Sequence, residues 1–150
     1  MKIFTFLLML FSTFTFAQTS DEALIKATIN GLFDGMKTSD STKIINAFST
    51  SAILQTSSKK GEPKTESIKN FATSISKAEK GSLEEKIVFS HILIDGNLAS
   101  VWTSYEFYLN GKFLHCGVNS FQLLKINNEW KIQYIVDTRR KFDCVENKLE

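Results

Sequence analysis

The sequence has few of the residues that build metal centres, phosphate loops or disulfide frameworks. Its 150 residues include one proline, two cysteines and two histidines, and these side chains do not show the spacing of a metal site. It also has no glycine-rich phosphate loop, no nucleophile elbow and no HExxH pattern. The formal net charge is only +2, so the composition does not predict nucleic-acid binding. We therefore expect no metal and no cofactor.

The first seventeen residues are typical of a secretory signal peptide. Lys2 supplies a positive charge, residues 3–16 are almost wholly apolar, and the small residues Thr15 and Ala17 precede the expected cleavage point. The apolar run is too short to span a membrane. We expect residues 1–17 to be removed and residues 18–150 to form one exported domain, periplasmic or secreted, without membrane association.

The stretch from Lys112 to Arg140 organises the predicted fold. Two long strands are joined by Asn127-Asn128, a pair that accepts the positive φ of a two-residue hairpin turn. The turn fixes the register and therefore the side chains that share the inner face. The expected inner-face pairs are Leu123–Ile132, Phe121–Tyr134, Asn119–Val136, Gly117–Thr138 and His115–Arg140. This register turns Asp137 outward, so no paired carboxylates are expected inside.

Helices come before strands along the chain. A capping box with Thr19 as N-cap starts the first helix, and Pro63 stands where the third is expected to begin. Three tight turn signals then separate four strands, which predicts an antiparallel meander. The expected elements are helices at 20–38, 39–48 and from 63 to before 81, and strands at 52–56, 83–94 and 98–109. The fold class is therefore α+β, with the helices on one face of the sheet.

This order resembles the nuclear transport factor 2-like superfamily, which includes SnoaL-like cyclases and ketosteroid isomerases. The resemblance rests on the Thr38-Ser-Asp helix end, the run from Phe48 to Leu54, the helix after Gly61, and Trp130-Lys-Ile. The segment HCGVNSFQLLK…WKIQYIVDTRR, closed by Cys144, looks like the exported "putative lumazine-binding" branch. The resemblance implies a cone in which three N-terminal helices pack on a strongly curved antiparallel sheet.

The resemblance also allows a negative test of the isomerase activity. Ketosteroid isomerases use a Tyr on the first helix, an Asp base near the first strand and a second acid inside the sheet. Those places fall at Leu32, Thr56 and Asn119. Leu32 and Thr56 cannot supply the phenol donor or the carboxylate base. The isomerase mechanism is therefore not expected, although its pocket can persist.

The polar end of the inner face is the predicted ligand pocket. His115 suits a general base, or it is hydrogen-bonded to Glu106 or to a backbone carbonyl. Asn119 either binds a ligand or ties down a neighbouring strand. Arg140 either clamps a carboxylate or phosphate, or belongs to a solvated basic end. The expected pocket residues are Tyr105, Phe113, His115, Asn119, Tyr134, Val136, Thr138 and Arg140.

Two features stay open at this stage. In strand 98–109, one register turns Val101, Thr103, Tyr105 and Phe107 inward. A tight Asn110-Gly111 turn instead places Trp102 and Glu106 on that face. Cys116 and Cys144 either form a disulfide, which export permits, or stay as two free thiols.

The sequence predicts an exported protein that binds an unknown, partly apolar small molecule and shows no demonstrable catalytic machinery. One alternative is an enzyme of the hydrolase, dehydratase or cyclase type with His115 as base. The other is an interaction module without a pocket, in which the outer sheet face forms a homodimer. A cavity lined by aromatics with a few convergent polar groups is the basis of the first interpretation.

Overall fold

The computed structural model describes residues 20–58 and 60–144, and these form three helices and one six-stranded sheet. The helices are α1 (Asp21–Lys37), α2 (Ser41–Ala47) and α3 (Ile68–Ser76). The strands are β1 (Phe48–Ser57), β2 (Pro63–Glu66), β3 (Leu83–Asp95), β4 (Leu98–Leu109), β5 (Lys112–Ile126) and β6 (Glu129–Thr138). The predicted α+β class and the meander of four strands are confirmed.

The sheet is mixed rather than wholly antiparallel. Its strand order is β2-β1-β6-β5-β4-β3, and β1 pairs with β6 in parallel while every other neighbouring pair is antiparallel. The meander β3–β6 has only tight turns, so its strands alternate in direction. β1 and β6 are far apart in the sequence, so no hairpin turn forces this pair to be antiparallel.

Side-chain caps fix the starts of the helices. Ser20, one residue after the expected Thr19, caps α1, and its Oγ accepts a hydrogen bond from the Ala23 amide at 3.2 Å. Thr19 itself lies outside the described residues. Ser67 caps α3, so the expectation that this helix begins at Pro63 is wrong. Pro63 is instead the first residue of the edge strand β2, where a missing amide is tolerated.

The packed core lies at the β5–β6 turn end of the sheet. Phe121, Leu123 and Ile132 are fully buried there with Ile25 and Ile29 of α1. Trp130 closes this end because its indole N–H donates to the Asp21 carboxylate at 3.0 Å. The C-terminal half of α1 lies over the opposite end of the sheet, where the cavity described below remains open.

The two predicted turns on either side of β5 are confirmed, and both use the left-handed backbone. Asn127 and Asn128 have φ angles of 50° and 66°, as a two-residue hairpin turn requires. Asn110 and Gly111 have φ angles of 52° and 72° between β4 and β5. The strand bounds on either side of these turns match the expected ones.

Two bulges change the registers that start at those turns. Near its turn the β5–β6 hairpin keeps the expected pair Leu123–Ile132, but the register shifts between Gln122 and Leu123. Gln133 is therefore an extra residue on β6. A second shift in the β4–β5 pair leaves Leu114 as the extra residue on β5.

The first bulge makes four predicted pairs wrong. Phe121 pairs with Ile135 rather than Tyr134, and Asn119 pairs with Asp137 rather than Val136. The predicted His115–Arg140 and Gly117–Thr138 pairs fail for the same reason, since Arg140 bridges to Cys116. The second bulge settles the open register of β4, in which Val101 pairs with Phe121, and Thr103, Tyr105 and Phe107 follow on the inner face.

A disulfide links Cys116 in β5 to Cys144, so the segment after β6 folds back onto the sheet. Two backbone hydrogen bonds of 2.9 Å between Cys116 and Arg140 hold the start of the same segment. None of the helices in the described part of the chain is long and apolar enough to cross a membrane.

Candidate functional site

An interior cavity of about 330 Å³ lies between the inner face of the sheet and the helices α1 and α3. Most of its wall is apolar. The apolar lining residues are Leu32, Phe33, Met36, Phe48, Leu54, Phe71, Ile75, Leu83, Phe107, Leu114 and Ile135. Most polar lining residues lie on or directly after the strands, and Ser74 on α3 is the exception. The polar residues from the sheet side are Thr56, Glu66, Glu85, Tyr105, His115, Asn119, Asp137 and Arg139. A cavity of this size with a few convergent polar groups is typical of a small-ligand site.

Asp137 is the centre of the polar group. The bulge at Gln133 places it opposite Asn119 on the inner face, although the sequence predicted that it faces outward. It is buried, and its Oδ1 accepts from the Thr56 hydroxyl at 2.5 Å. Its Oδ2 accepts from the Nε of Arg139 at 2.7 Å. The expectation that the interior holds no carboxylate from β6 is therefore wrong.

Arg139, rather than Arg140, faces the cavity. Besides its ion pair with Asp137, its Nη2 donates to the Thr56 hydroxyl at 3.1 Å. The pair is asymmetric, because the Arg139 side chain is 55% exposed and the Asp137 side chain only 9%. The exposed guanidinium thus keeps donors directed toward solvent at the edge of the cavity. Arg140 uses its Nε to bind the backbone carbonyl of Asp143 at 2.9 Å.

Tyr105 connects Asp137 to His115. Its hydroxyl lies 2.8 Å from the Thr138 carbonyl, 3.4 Å from Asp137 Oδ2 and 3.2 Å from His115 Nδ1. A phenol has one proton to donate, and the carbonyl is its nearest acceptor. Burial, reinforced by the charge of Asp137, raises the pKa of the Tyr105 phenol, so this proton stays in place at neutral pH.

His115 is consequently assigned as a neutral donor toward Tyr105. Burial, followed by the nearby positive charge of Arg139, lowers the pKa of the His115 imidazole. If Nδ1 carries the proton and donates to the phenol oxygen, Nε2 carries the lone pair. The ring also stacks on Phe107, with centroids 5.0 Å apart. The sequence left open a hydrogen bond between His115 and Glu106. In the structure His115 is hydrogen-bonded to Tyr105 instead, and the Glu106 carboxylate accepts from the Tyr108 hydroxyl.

Glu85 is the site residue that the sequence reasoning missed. It lies on β3, and its Oε1 accepts from the Asn119 amide nitrogen at 2.9 Å. Burial raises the pKa of the Glu85 carboxyl to about 7, although the Asn119 hydrogen bond opposes this change. The alternation of Leu83, Glu85 and Ile87 in the sequence was the available signal, because it puts all three on one face of a strand.

Asn119 and Glu85 keep hydrogen-bonding capacity that the protein does not use. The buried Asn119 amide donates to Glu85 and, at 3.4 Å, to the Thr103 hydroxyl. Within residues 20–58 and 60–144, no hydrogen-bond donor reaches Asn119 Oδ1, and no second donor reaches the Glu85 carboxyl. A buried acceptor without a partner is costly unless water or a ligand satisfies it.

Gly117 allows β6 and Tyr105 to approach β5 closely at this site. An added Cβ at Gly117 lies 1.8 Å from the Thr138 carbonyl oxygen and 2.8 Å from the Tyr105 ring. Both distances are far below van der Waals contact, so only glycine fits without a shift of the backbone. The hydrogen bond from Tyr105 to Thr138 therefore depends on the absence of a side chain at Gly117.

The structure places three of the eight predicted pocket residues on the cavity wall, namely Tyr105, His115 and Asn119. The other five are not among its lining residues. Tyr134, Val136, Thr138 and Arg140 turn away because the bulge on β6 exchanges the two faces of that strand beyond Gln133. Phe113 turns away because of the bulge at Leu114, and it is exposed beside Tyr108.

No group of three His, Cys, Asp or Glu side chains in the described part of the chain is arranged to hold a metal ion. The carboxylates of Glu85 and Asp137 are each engaged by a different neutral or cationic donor. The polar end of the cavity is therefore a hydrogen-bonding site in its present arrangement.

Comparison with known proteins identifies the family. The sequence profile of the family described as "Putative lumazine-binding" matches residues 20–134, which include all three helices and most of the sheet. The chain belongs to this family. The predicted resemblance is confirmed. The comparison with curated proteins finds no match.

Solved structures agree with this family fold at low sequence identity. A nuclear transport factor 2-like protein of unknown function from Shewanella baltica OS155 has a TM-score of 0.67 and 21% identity, over 82% of this chain and 98% of that one. Another, from Silicibacter pomeroyi DSS-3, has a TM-score of 0.65 and 18% identity, over 79% and 95%. A Nostoc punctiforme PCC 73102 domain of unknown function with a cystatin-like fold has a TM-score of 0.66 and 17% identity, over 83% and 80%.

The positions carried over from the ketosteroid isomerases all lie on the cavity wall. Leu32, Thr56 and Asn119 line it together, so the carried-over positions do converge. None of the three is an acid. The carboxylates on the wall belong instead to Glu66, Glu85 and Asp137, from β2, β3 and β6. Glu66 is exposed, which leaves Glu85 and Asp137 as the two acids shielded from solvent. The chemistry of this site therefore has to be argued from those two acids and their partners.

Proposed function

We propose that the protein is an exported binding protein that holds a small organic molecule in the cavity under α1 and α3. Membership of a family described as "Putative lumazine-binding" supports a role in ligand binding in general. The signal-like residues 1–17 and the Cys116–Cys144 disulfide support export, because disulfides persist in oxidising compartments.

The observation that carries the proposal is the combination of apolar walls and unused acceptors. A ligand of mostly apolar surface gains free energy from burial against Phe33, Phe71 and Ile75. A donor group on that ligand, such as an N–H or O–H, satisfies Asn119 Oδ1 or Glu85. A volume of about 330 Å³ is at the small end for ligand pockets, so the ligand is a compact molecule.

The neutral fluorescent probe phenylnaphthylamine tests whether the cavity binds apolar molecules. We expect saturable fluorescence enhancement with the wild-type protein and loss of it in Ser74→Trp, because Ser74 lines the cavity from α3. Thr73→Trp is the matched control, since Thr73 is exposed on the same helix and does not line the cavity. Equal binding by both variants contradicts the proposal.

Native mass spectrometry of protein recovered from its producing cell identifies the natural ligand. We expect a bound molecule that the Ser74→Trp variant lacks and the Thr73→Trp variant retains. A bound molecule retained equally by both variants places the site elsewhere.

One observation favours an enzyme as the second candidate function. Burial raises the pKa of Glu85 to about 7, which suits a general acid or base at neutral pH, and the carboxyl faces an open cavity. His115 Nε2 is a second base in the assigned tautomer. If the protein is an enzyme of the dehydratase, cyclase or hydrolase type, we expect the wild-type protein to convert the co-purifying molecule in an activity assay. The Glu85→Gln variant should bind this molecule without converting it. Conversion at the same rate by both proteins contradicts the assignment to Glu85.

A homodimer through the outer face of the sheet is a separate proposal. Ile53 and Trp102 lie on that face and are 45% and 47% exposed, so a partner has apolar surface to cover. The cavity argues against a packed interaction module as the main function. Sedimentation equilibrium of wild type and Trp102→Lys tests the dimer, which we expect only for the wild type.

A further inference from the structure

A second concavity lies beside the cavity, on the segment that follows β6. Its volume is about 420 Å³, and its lining residues are Leu114, His115, Arg139, Arg140, Lys141 and Phe142. We call it the tail groove. Leu114, His115 and Arg139 line both the tail groove and the interior cavity. The two spaces therefore meet at these three side chains, and one elongated molecule can contact both.

The tail groove is strongly basic. Arg139, Arg140 and Lys141 are consecutive, and Asp143 supplies the one carboxylate between residues 139 and 144. Arg139 is paired with Asp137, but no ion pair of Arg140 or Lys141 is found within residues 20–58 and 60–144. An anion in the groove thus meets two cations, Arg140 and Lys141, that form no ion pair within the described part of the chain.

The segment that forms the groove is held in place at several points. The disulfide fixes Cys144 to Cys116, and two backbone hydrogen bonds fix Arg140 to Cys116. Arg140 Nε also binds the Asp143 carbonyl, which closes the turn around Phe142. The turn holds Phe142 with 79% of its surface exposed, directly among the cations. An apolar ring fixed beside positive charge favours a ligand group that is both anionic and attached to an apolar body.

We propose that the tail groove is a second subsite, which takes an anionic substituent of the molecule whose apolar body occupies the interior cavity. The substituent is a carboxylate, sulfonate or phosphate, and Arg139 at the junction orients it toward Arg140 and Lys141. This inference rests on the proposed ligand-binding function and adds the charge class of the ligand. It also gives the exposed face of Arg139 a role, since its other face is used by Asp137.

Two probes with the same apolar body test the subsite. Phenylnaphthylamine is neutral, and anilinonaphthalene sulfonate carries one sulfonate on the same ring system. We expect wild-type protein to bind the sulfonate probe more tightly, and added salt to weaken only that probe. Lys141→Ala should weaken the sulfonate probe roughly threefold to tenfold, and Lys141→Glu should weaken it further. Both variants should bind the neutral probe like the wild type.

A matched control and a competition experiment decide between the outcomes. Lys69→Glu makes the same charge change on α3, at an exposed residue outside both linings, and should leave the affinity for both probes unchanged.

In the competition experiment, the neutral probe should displace the sulfonate probe, since both occupy the cavity. Equal affinities for the two probes overturn the subsite, and so does equal weakening by Lys141→Glu and Lys69→Glu. Simultaneous binding without competition also overturns it, because the anion then binds independently of the cavity. If Ser74→Trp abolishes the binding of neither probe, the proposed function itself fails.

Discussion

Replacing Glu85 with glutamine should change how the stability of the protein depends on pH. The pKa of this carboxyl rises from its ordinary value of 4.5 to about 7 in the folded protein because of burial. Below the lower value the carboxyl is protonated in both the folded and the unfolded state, so its burial costs nothing. Above the higher value it is ionised in both states, and only the folded state bears the cost of a buried charge. The wild type therefore loses stability as pH rises from about 4.5 to about 7.

The difference between the two pKa values sets the magnitude. It is about 2.5, and at about 1.4 kcal/mol per unit the charge of the desolvated carboxylate costs about 3.5 kcal/mol as an upper value. Water in the open cavity reduces this cost, so we expect about 1–3 kcal/mol. Glutamine keeps an oxygen that can accept from Asn119 but carries no charge. The free energy of unfolding of Glu85→Gln should thus exceed that of the wild type at high pH and approach it at low pH.

Urea unfolding between about pH 5 and about pH 8 measures this effect. At each pH we subtract the unfolding free energy of the wild type from that of Glu85→Gln. The test is how much this difference changes over the pH range. Glu79→Gln is the control, because Glu79 is exposed in the connection between α3 and β3. A difference for Glu85→Gln that stays constant with pH refutes the claim that desolvation raises the pKa of Glu85.

Two further predictions concern close packing at and beside the site. Gly117→Ala should lower the free energy of unfolding in urea melts by at least about 1–3 kcal/mol, because the new Cβ overlaps the Thr138 carbonyl. Gly31→Ala, in an open position of α1, is the control and should raise it by about 0.5–1 kcal/mol. Equal changes in the two variants would contradict the close packing at Gly117. Phe121→Ala should lower the free energy of unfolding by about 3–5 kcal/mol, because Phe121 is fully buried. Gln122→Ala, on the outer face, should lower it by about 1 kcal/mol or less. Similar losses in the two variants would show that the faces of β5 are wrongly assigned.

The sequence predicted those parts of the fold that depend on local chemistry. Asn127 and Asn128 accept left-handed backbone, so the turn and the pairs next to it were predictable. The apolar stripe of Ile25, Ile29 and Leu32 predicted the buried face of α1 in the same way. Neither prediction needs information from distant residues.

The bulges were not predictable, because they depend on the curvature of the whole sheet. Gln133 and Leu114 are ordinary strand residues, and neither has the glycine or the turn chemistry that marks some bulges. An extra residue relieves the strain of bending a strand around the helices, and the bend is a property of the assembled domain. The pairs beyond each bulge were therefore predicted in the wrong register.

A single extra residue accounts for most of the difference between the predicted pocket and the observed cavity. Without the bulge, Val136 of β6 and Arg140 after it face the interior, so this part of the chain contributes a cation and no acid. With it, the strand and the residue after it present Asp137 and Arg139, and the cavity gains a half-exposed ion pair beside Glu85. The register shift thus converts a site suited to an anion into one suited to a hydrogen-bond donor. Arg140 lines the tail groove instead, where the proposed anionic subsite lies.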